Sequence, residues 1–131
     1  MSLQPTAIVF PDVELVLTTY LRTVLADPTI YVSNAVPSPR RDRMVTVRRD
    51  GGAPDGVRDR ARVSVGVWAM SEKAANDLAR IVQARLSAAP NGDPILSVRH
   101  QSGPTPVADE SKQSRRFLVV EVSTRGQLLG A

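Results

Sequence analysis

RARVSVGVWA, residues 60–69, runs into SEKAANDLARIVQARL, residues 71–86, and the change of period between them decides the fold class. In the first segment Ala61, Val63, Val65 and Val67 alternate with Arg62, Ser64, Gly66 and Trp68. A period of two puts one set on each face of a β-strand. In the second, Ala75, Leu78, Ala79, Val82 and Leu86 recur at helical spacing, with Ile81 beside them. That pattern predicts an amphipathic helix. Ser71 stands where its N-cap belongs and Glu72 at its positive end. Pro90-Asn91-Gly92 reads as its stop.

The rest of the chain is read outward from this unit. Val13, Val16, Leu17, Tyr20, Leu21, Val24 and Leu25 form the stripe of a first helix, with Asp12 as cap and Asp27-Pro28 as terminator. Residues 1–11, bracketed by Pro5 and Pro11, read as an N-terminal arm. Thr29 to Ser33 reads as a short strand, and NAVPSPRRDR (34–43) as a surface loop. Met44 to Arg49 is a strand with Val45 and Val47 on one face, Thr46 and Arg48 on the other. DGGAPDGVRD (50–59), with its glycines and proline, reads as a hairpin loop. Ile95–His100 and Arg116–Arg125 are the closing strands, joined by a polar loop of turn-forming residues over 101–114. Residues 127–131 make a short tail.

The order helix, three strands, helix, two strands predicts an α+β fold. It has a mostly antiparallel sheet of four to five strands with two helices packed on one face. A chain of 131 residues supports one such domain, here 12–126.

Composition narrows the chemistry. Hydrophobic residues make up 42% and charged residues 23%, the balance of a folded globular chain. The absence of cysteine excludes disulfides and thiolate metal sites. No apolar run nears the roughly 20 residues of a membrane span. The start, MSLQPTAIVFPDVE, lacks the basic and apolar regions of a secretory signal. The net charge is +4, and 15 of the 17 basic residues are arginine.

A catalytic site is hard to assemble from these residues. His100 is the only histidine, at a strand end, and no G-x-S-x-G elbow is present. Zinc needs three or four His or Cys ligands. Asp109-Glu110 is the only adjacent acidic pair and reads as a solvated loop. Asp50-Gly51-Gly52 follows a strand but leads to another strand, unlike a phosphate loop. The basic clusters 40–43, 48–49, 58–62 and 115–116 are mostly interleaved with aspartates. Aromatic residues are only 4%, so stacking platforms for nucleic-acid bases are scarce. Trp68, sharing a face with Arg62, reads as core or as a subunit contact.

Sheet edges and Arg/Asp-rich loops suit assembly instead, and a resemblance adds to this. The segments PDVELVLTTYLRT (11–23), VTVRRDGG (45–52), ARVSVGVWAMSEKAANDLARIVQARL (61–86) and SGPTP…AD…RRF…VEVSTRG (102–126) together resemble the tail terminator, or tail completion, proteins of long-tailed, siphovirus-like phages. What the resemblance implies is a virion structural protein with no catalytic, cofactor or metal site. It would form a ring, six subunits in that family, on the head-proximal end of the tail tube. The ring stops tube polymerisation and offers a joining surface to the neck and head.

The implied partners are further copies of the chain, the tail tube protein and a neck or head-completion protein. No membrane is involved, and DNA only passes through the lumen without being read. The implied location is the virion tail, with assembly in the host cytoplasm. Expected interface residues are Arg40, Arg41, Arg43, Arg48, Arg49, Asp50, Gly51, Gly52, Asp55, Arg58, Trp68, Asp109, Arg116 and Arg125. Removing residues 51–57 is expected to leave the monomer folded and abolish ring or tube binding. Another head–tail neck or connector component, and a small basic nucleic-acid-binding domain, are the alternatives.

Overall fold

The computed structural model describes residues 7–89 and 94–129. Its elements are β1 (Ile8–Val9), α1 (Val13–Leu25), β2 (Ile30–Ser33), β3 (Arg43–Asp55), β4 (Arg58–Ala69), α2 (Glu72–Ser87), β5 (Ile95–Val107), β6 (Ser114–Arg125) and β7 (Gln127–Leu128). Five strands form one sheet in the order β2-β3-β4-β6-β5, antiparallel except for the pair β2 and β3. This is the α+β class that the hydrophobic periods predict.

The helices begin where the caps place them. Asp12 accepts from the backbone N–H groups of Glu14 (3.1 Å) and Leu15 (3.2 Å), and Ser71 accepts from Ala74 N (3.1 Å). Each cap satisfies donors that the first helical turn leaves without partners. α1 ends at Ala26, which turns left-handed just before Asp27-Pro28. The predicted stop of α2 at Pro90-Asn91-Gly92 lies outside the described residues. So does Pro5 of the arm.

Both helices cover the same face of the sheet. Val13, Leu17 and Leu21 of α1 and Leu78, Ala79, Val82 and Leu86 of α2 pack on Val45, Val47, Val63, Val65, Val67, Leu118, Val120 and Val122. These side chains are almost wholly buried, and each buried Val or Leu contributes about 1.5–3 kcal/mol. The Tyr20 hydroxyl donates to Arg85 O (2.6 Å) and ties the helices together. Ile81, beside the α2 stripe, is half exposed.

Two of the three expected loops are strands. Residues 50–55 continue β3 and 58–59 begin β4, so the segment is a ribbon that turns only at Gly56-Val57. Glycine marks bulges as well as turns. The register shifts between Arg49 and Gly51, and Gly52 takes φ +88° where a Cβ would lie 1.9 Å from Arg60 O. Likewise β5 runs on to Val107, leaving only 108–113 as loop. Its Pro104 and Pro106 sit on an edge strand, where a missing N–H is tolerated. Residues 34–42 are the one expected loop without strand or helix.

β2 is parallel to β3 because the chain returns through 34–42 before it pairs. β2 covers only Arg43–Thr46. From Val47 to Asp55, β3 has β4 on one side and, among the described residues, no strand on the other. The Arg49 backbone N–H, beyond the reach of β2, donates instead to Glu14 Oε2 (2.7 Å) on α1. The arm and tail meet as β1 and β7, with Ile8 opposite Leu128.

Candidate functional site

The side chains expected at interfaces are sorted by the alternation of the strands. Odd residues of β4 face the helices and even ones face away. The face away from the helices, here the open face, gathers most of those residues at its two ends.

At one end lies Trp68, only 3% exposed. Opposite it stand Met44 on β3 and Arg115 on β6. Its ring fills the space above Gly66, where a Cβ would come within 2.7 Å of two indole carbons. The Arg115 guanidinium stacks on the ring, 4.7 Å from its centroid, a favourable cation–π geometry.

The loop 108–113 closes over this end. Asp109 Oδ2 accepts from Arg40 Nη1 (3.2 Å), from Ser111 N (3.3 Å) and from the Ser111 hydroxyl. Gln113 Nε2 donates to Arg41 O (2.7 Å) and Asp42 O (3.2 Å). The two loops, 34–42 and 108–113, are thereby joined. The Ser111 hydroxyl foremost, then Trp68 and the Arg40 charge, hold the Asp109 carboxyl below the ordinary range although partial burial opposes them. The indole N–H makes no well-formed hydrogen bond, so its influence on Asp109 is that of a nearby dipole.

Beside this end, Arg43 Nη1 pairs with Asp27 (3.0 Å), and Arg41 sits 5.9 Å over the Tyr31 ring.

At the other end the open face is built on the ribbon. Arg62 faces Asp50 (3.6 Å), Arg60 faces Asp55 (3.6 Å), and the Ser64 hydroxyl donates to Asp50. Arg48, Asp55 and Arg125 are exposed, as is Gly52, and Arg58 is half-buried. Arg48 and Arg58 make no ion pair among the described residues.

Other expected residues take helix-side positions: Gly52 opposite Ala61, Arg43 in step with Val45 and Val47, and Arg49 and Arg116. Arg49 points to the helix side and makes a two-point pair with Asp59, at 2.5 and 2.9 Å. Asp59 is 1% exposed, so this pair closes the core. Arg116, 8% exposed, donates to Glu72 Oε2 (2.8 Å) at the start of α2. That bond and one from Ser114 keep the Glu72 carboxyl below its usual range, the Ser114 hydroxyl contributing most. Both arginines serve packing between elements.

Glu14, Asp59, Ser111, Gln113 and Arg115 are not among the interface residues expected from the sequence, although Asp59 and Arg115 fall within its basic clusters. Only Asp59 and Arg115 carry a local signal, as strand positions of defined face once β4 and β6 are extended. The others act across loops or from a helix, and no spacing announces them. His100 is exposed on edge strand β5. No protein-family model matches the chain, and none of the curated proteins matches it.

Proposed function

We propose that the chain is a structural subunit that closes into a ring on the head-proximal end of a phage tail tube, halts the growth of the tube and joins it to the neck. The observation that carries this reading is the β3–β4 ribbon. It extends past β2, offers a strand edge over Val47–Asp55 that no other strand of the described residues covers, and ends in an exposed turn at Gly56-Val57. Unpaired strand edges are contact elements for neighbouring chains. The segment order that resembles the tail terminators supports the same reading.

The physical consequence is directional assembly. A heterologous contact closes into a ring when its rotation closes. The two faces of such a ring differ, so the one that matches the last tube layer hides it and the other refuses a further layer. Termination is thus a specificity achieved as much by mismatch as by fit.

The test is to shorten the ribbon. Replacing Asp55–Arg58 by Asn-Gly keeps Asp59 for Arg49 and re-closes the ladder between Pro54 and Asp59 with a favoured two-residue turn. This edit removes one rung of the β3–β4 ladder, Asp55 with Arg58, whereas removal of 51–57 takes every β3 rung from Gly51 onward. The expected result is a folded chain that no longer forms rings or caps tail tubes in light scattering and negative-stain microscopy. Rings and capped tubes at wild-type yield would overturn the proposal.

A further inference from the structure

The charge on the open face is concentrated at the ribbon end. Arg48, Arg58, Arg60, Arg62, Arg99 and Arg125 occupy open-face positions there, by their pairing with Ser64, Arg125, Ser123, Glu121, Glu121 and Arg58 respectively. The carboxylates among them are Asp50, Asp55 and Glu121. Setting aside Arg125, which is not free, five positive charges against three leave a surplus of two in one patch among the described residues. The opposing pairs are loose. Arg62–Asp50 and Arg60–Asp55 are both 3.6 Å apart between exposed side chains, and water and salt screen such pairs heavily.

The geometry of the patch selects its partner. Arg58, Arg60 and Arg62 recur along β4 at intervals of about 7 Å, and Arg62 and Arg99 flank Glu121 across about 10 Å of sheet. Between the arginines stand Gly51, Ala53, Ser64, Ser97 and Ser123, small residues that leave a shallow, even surface. The aromatic residues of the open face, Trp68 and Phe117, lie at the opposite end, Trp68 beneath Arg115. A protein partner needs an apolar or aromatic anchor at the centre of its contact, and a single strand needs rings on which bases stack. This patch has neither.

A second copy of the chain offers no matching row of anions. Asp27, Asp59, Glu72, Asp77 and Asp109 each already hold a cation of their own chain, and the exposed carboxylates without an ion pair among the described residues include Asp12 at the α1 cap and Asp42 and Glu110 in the loops 34–42 and 108–113. What remains is a regular array of phosphates on a rigid duplex.

We infer that the arginine-bearing end of the open sheet face binds the phosphate backbone of double-stranded DNA without reading its sequence. Arginine forks pair with phosphate oxygens, and contacts of this kind position a duplex but carry no base information. The inference does not rest on the ring. The ring reading uses the β3 edge and the Gly56-Val57 turn, and the DNA reading uses the open sheet face beside them.

The experiment is fluorescence anisotropy of a labelled 30-base-pair duplex with the full-length chain, between about 50 and 200 mM NaCl. Affinity is expected to fall linearly in log–log form with salt, with a slope of about −3 to −5, as each neutralised phosphate contributes roughly −0.9. The variant carrying Arg60→Gln and Arg62→Gln should flatten the slope by about two and weaken binding at least tenfold at the lower salt. Arg80→Gln with Arg85→Gln on α2 removes the same charge from the helix side and should leave both unchanged. Arg48→Gln with Arg99→Gln repeats the first test on β3 and β5, should the β4 pair disturb folding.

Equal loss from the α2 pair, or no duplex binding at 50 mM salt, overturns the inference. So does tighter binding of a single strand of the same length. Displacement of the duplex by poly-glutamate at matched charge, with the same dependence on Arg60 and Arg62, would reassign the face to an acidic protein. Because the readout is DNA affinity and not oligomeric state, it fails or succeeds separately from the ring.

Discussion

The Trp68 end and the arginine end of the open face are built on the same strands, β3, β4 and β6, yet they behave as different materials. At the first, an indole is pressed between Gly66 and Arg115 and roofed by a loop whose Asp109, Ser111 and Gln113 are all hydrogen-bonded. At the second, the arginines of the same strands reach into solvent, and Arg60 and Arg62 face their aspartates at 3.6 Å between exposed side chains. The difference is cover. A six-residue loop converts part of an open sheet face into interior, and its absence leaves the remainder as surface. Stability should therefore reside at one end and binding at the other.

The largest expected effect breaks the covered end. Trp68→Ala removes a nearly buried ring and should cost about 3–4 kcal/mol in urea denaturation. Arg62→Ala at the open end should stay within about 0.5 kcal/mol. Equal costs would erase the distinction between the ends.

A finer contrast uses two glycines of the same face. Gly66→Ala drives a methyl against the indole, 2.7 Å from its ring carbons, and should destabilise by about 1–3 kcal/mol. Gly51→Ala meets nothing nearer than 3.7 Å and has an ordinary φ, so its cost should be below about 1 kcal/mol. A reversed order in thermal melts would show that the covered end yields and the ribbon does not.

The smallest effect is a pH dependence. Asp109 is held below the ordinary carboxylate value, first by the Ser111 hydroxyl and then by Trp68 and Arg40. A carboxyl depressed in the folded state stabilises fully above its unfolded pKa of about 4 and loses that contribution as pH falls through the lower folded value. Wild type and Asp109→Asn should therefore differ by a constant amount from pH 7 to about 5 and converge below about 4. Asp27 and Glu72, also depressed, titrate in both proteins and cancel in the difference. A gap that widens in acid would contradict the assignment.

The elements with a clean period were legible in the sequence. The stripes of α1 and α2, the caps Asp12 and Ser71, and the two faces of β4 follow from spacing alone. The segments 50–59 and 101–107 were not, because glycine and proline are ambiguous. Gly52 and Pro104 read as turn formers, whereas the chain uses Gly52 in the ladder just past a bulge at Asp50 and Pro104 within an edge strand. Seeing Arg58, Arg60 and Arg62 as one row requires extending β4 backward through a stretch that composition reads as loop. The roof over Trp68 was illegible for a different reason. Its bonds join residues about 70 apart, such as Arg40 with Asp109, and no local pattern encodes such a meeting. Arg49 and Arg116 stood in exposed-looking clusters, but strand parity turned both inward.

Glu14 gives the uncovered edge of β3 a character of its own. By supplying an acceptor to the Arg49 backbone, a helix side chain stands in for the neighbour strand that is missing. A carboxylate laid along an open edge discourages indiscriminate pairing there, because any strand that docks over Arg49 must first displace it.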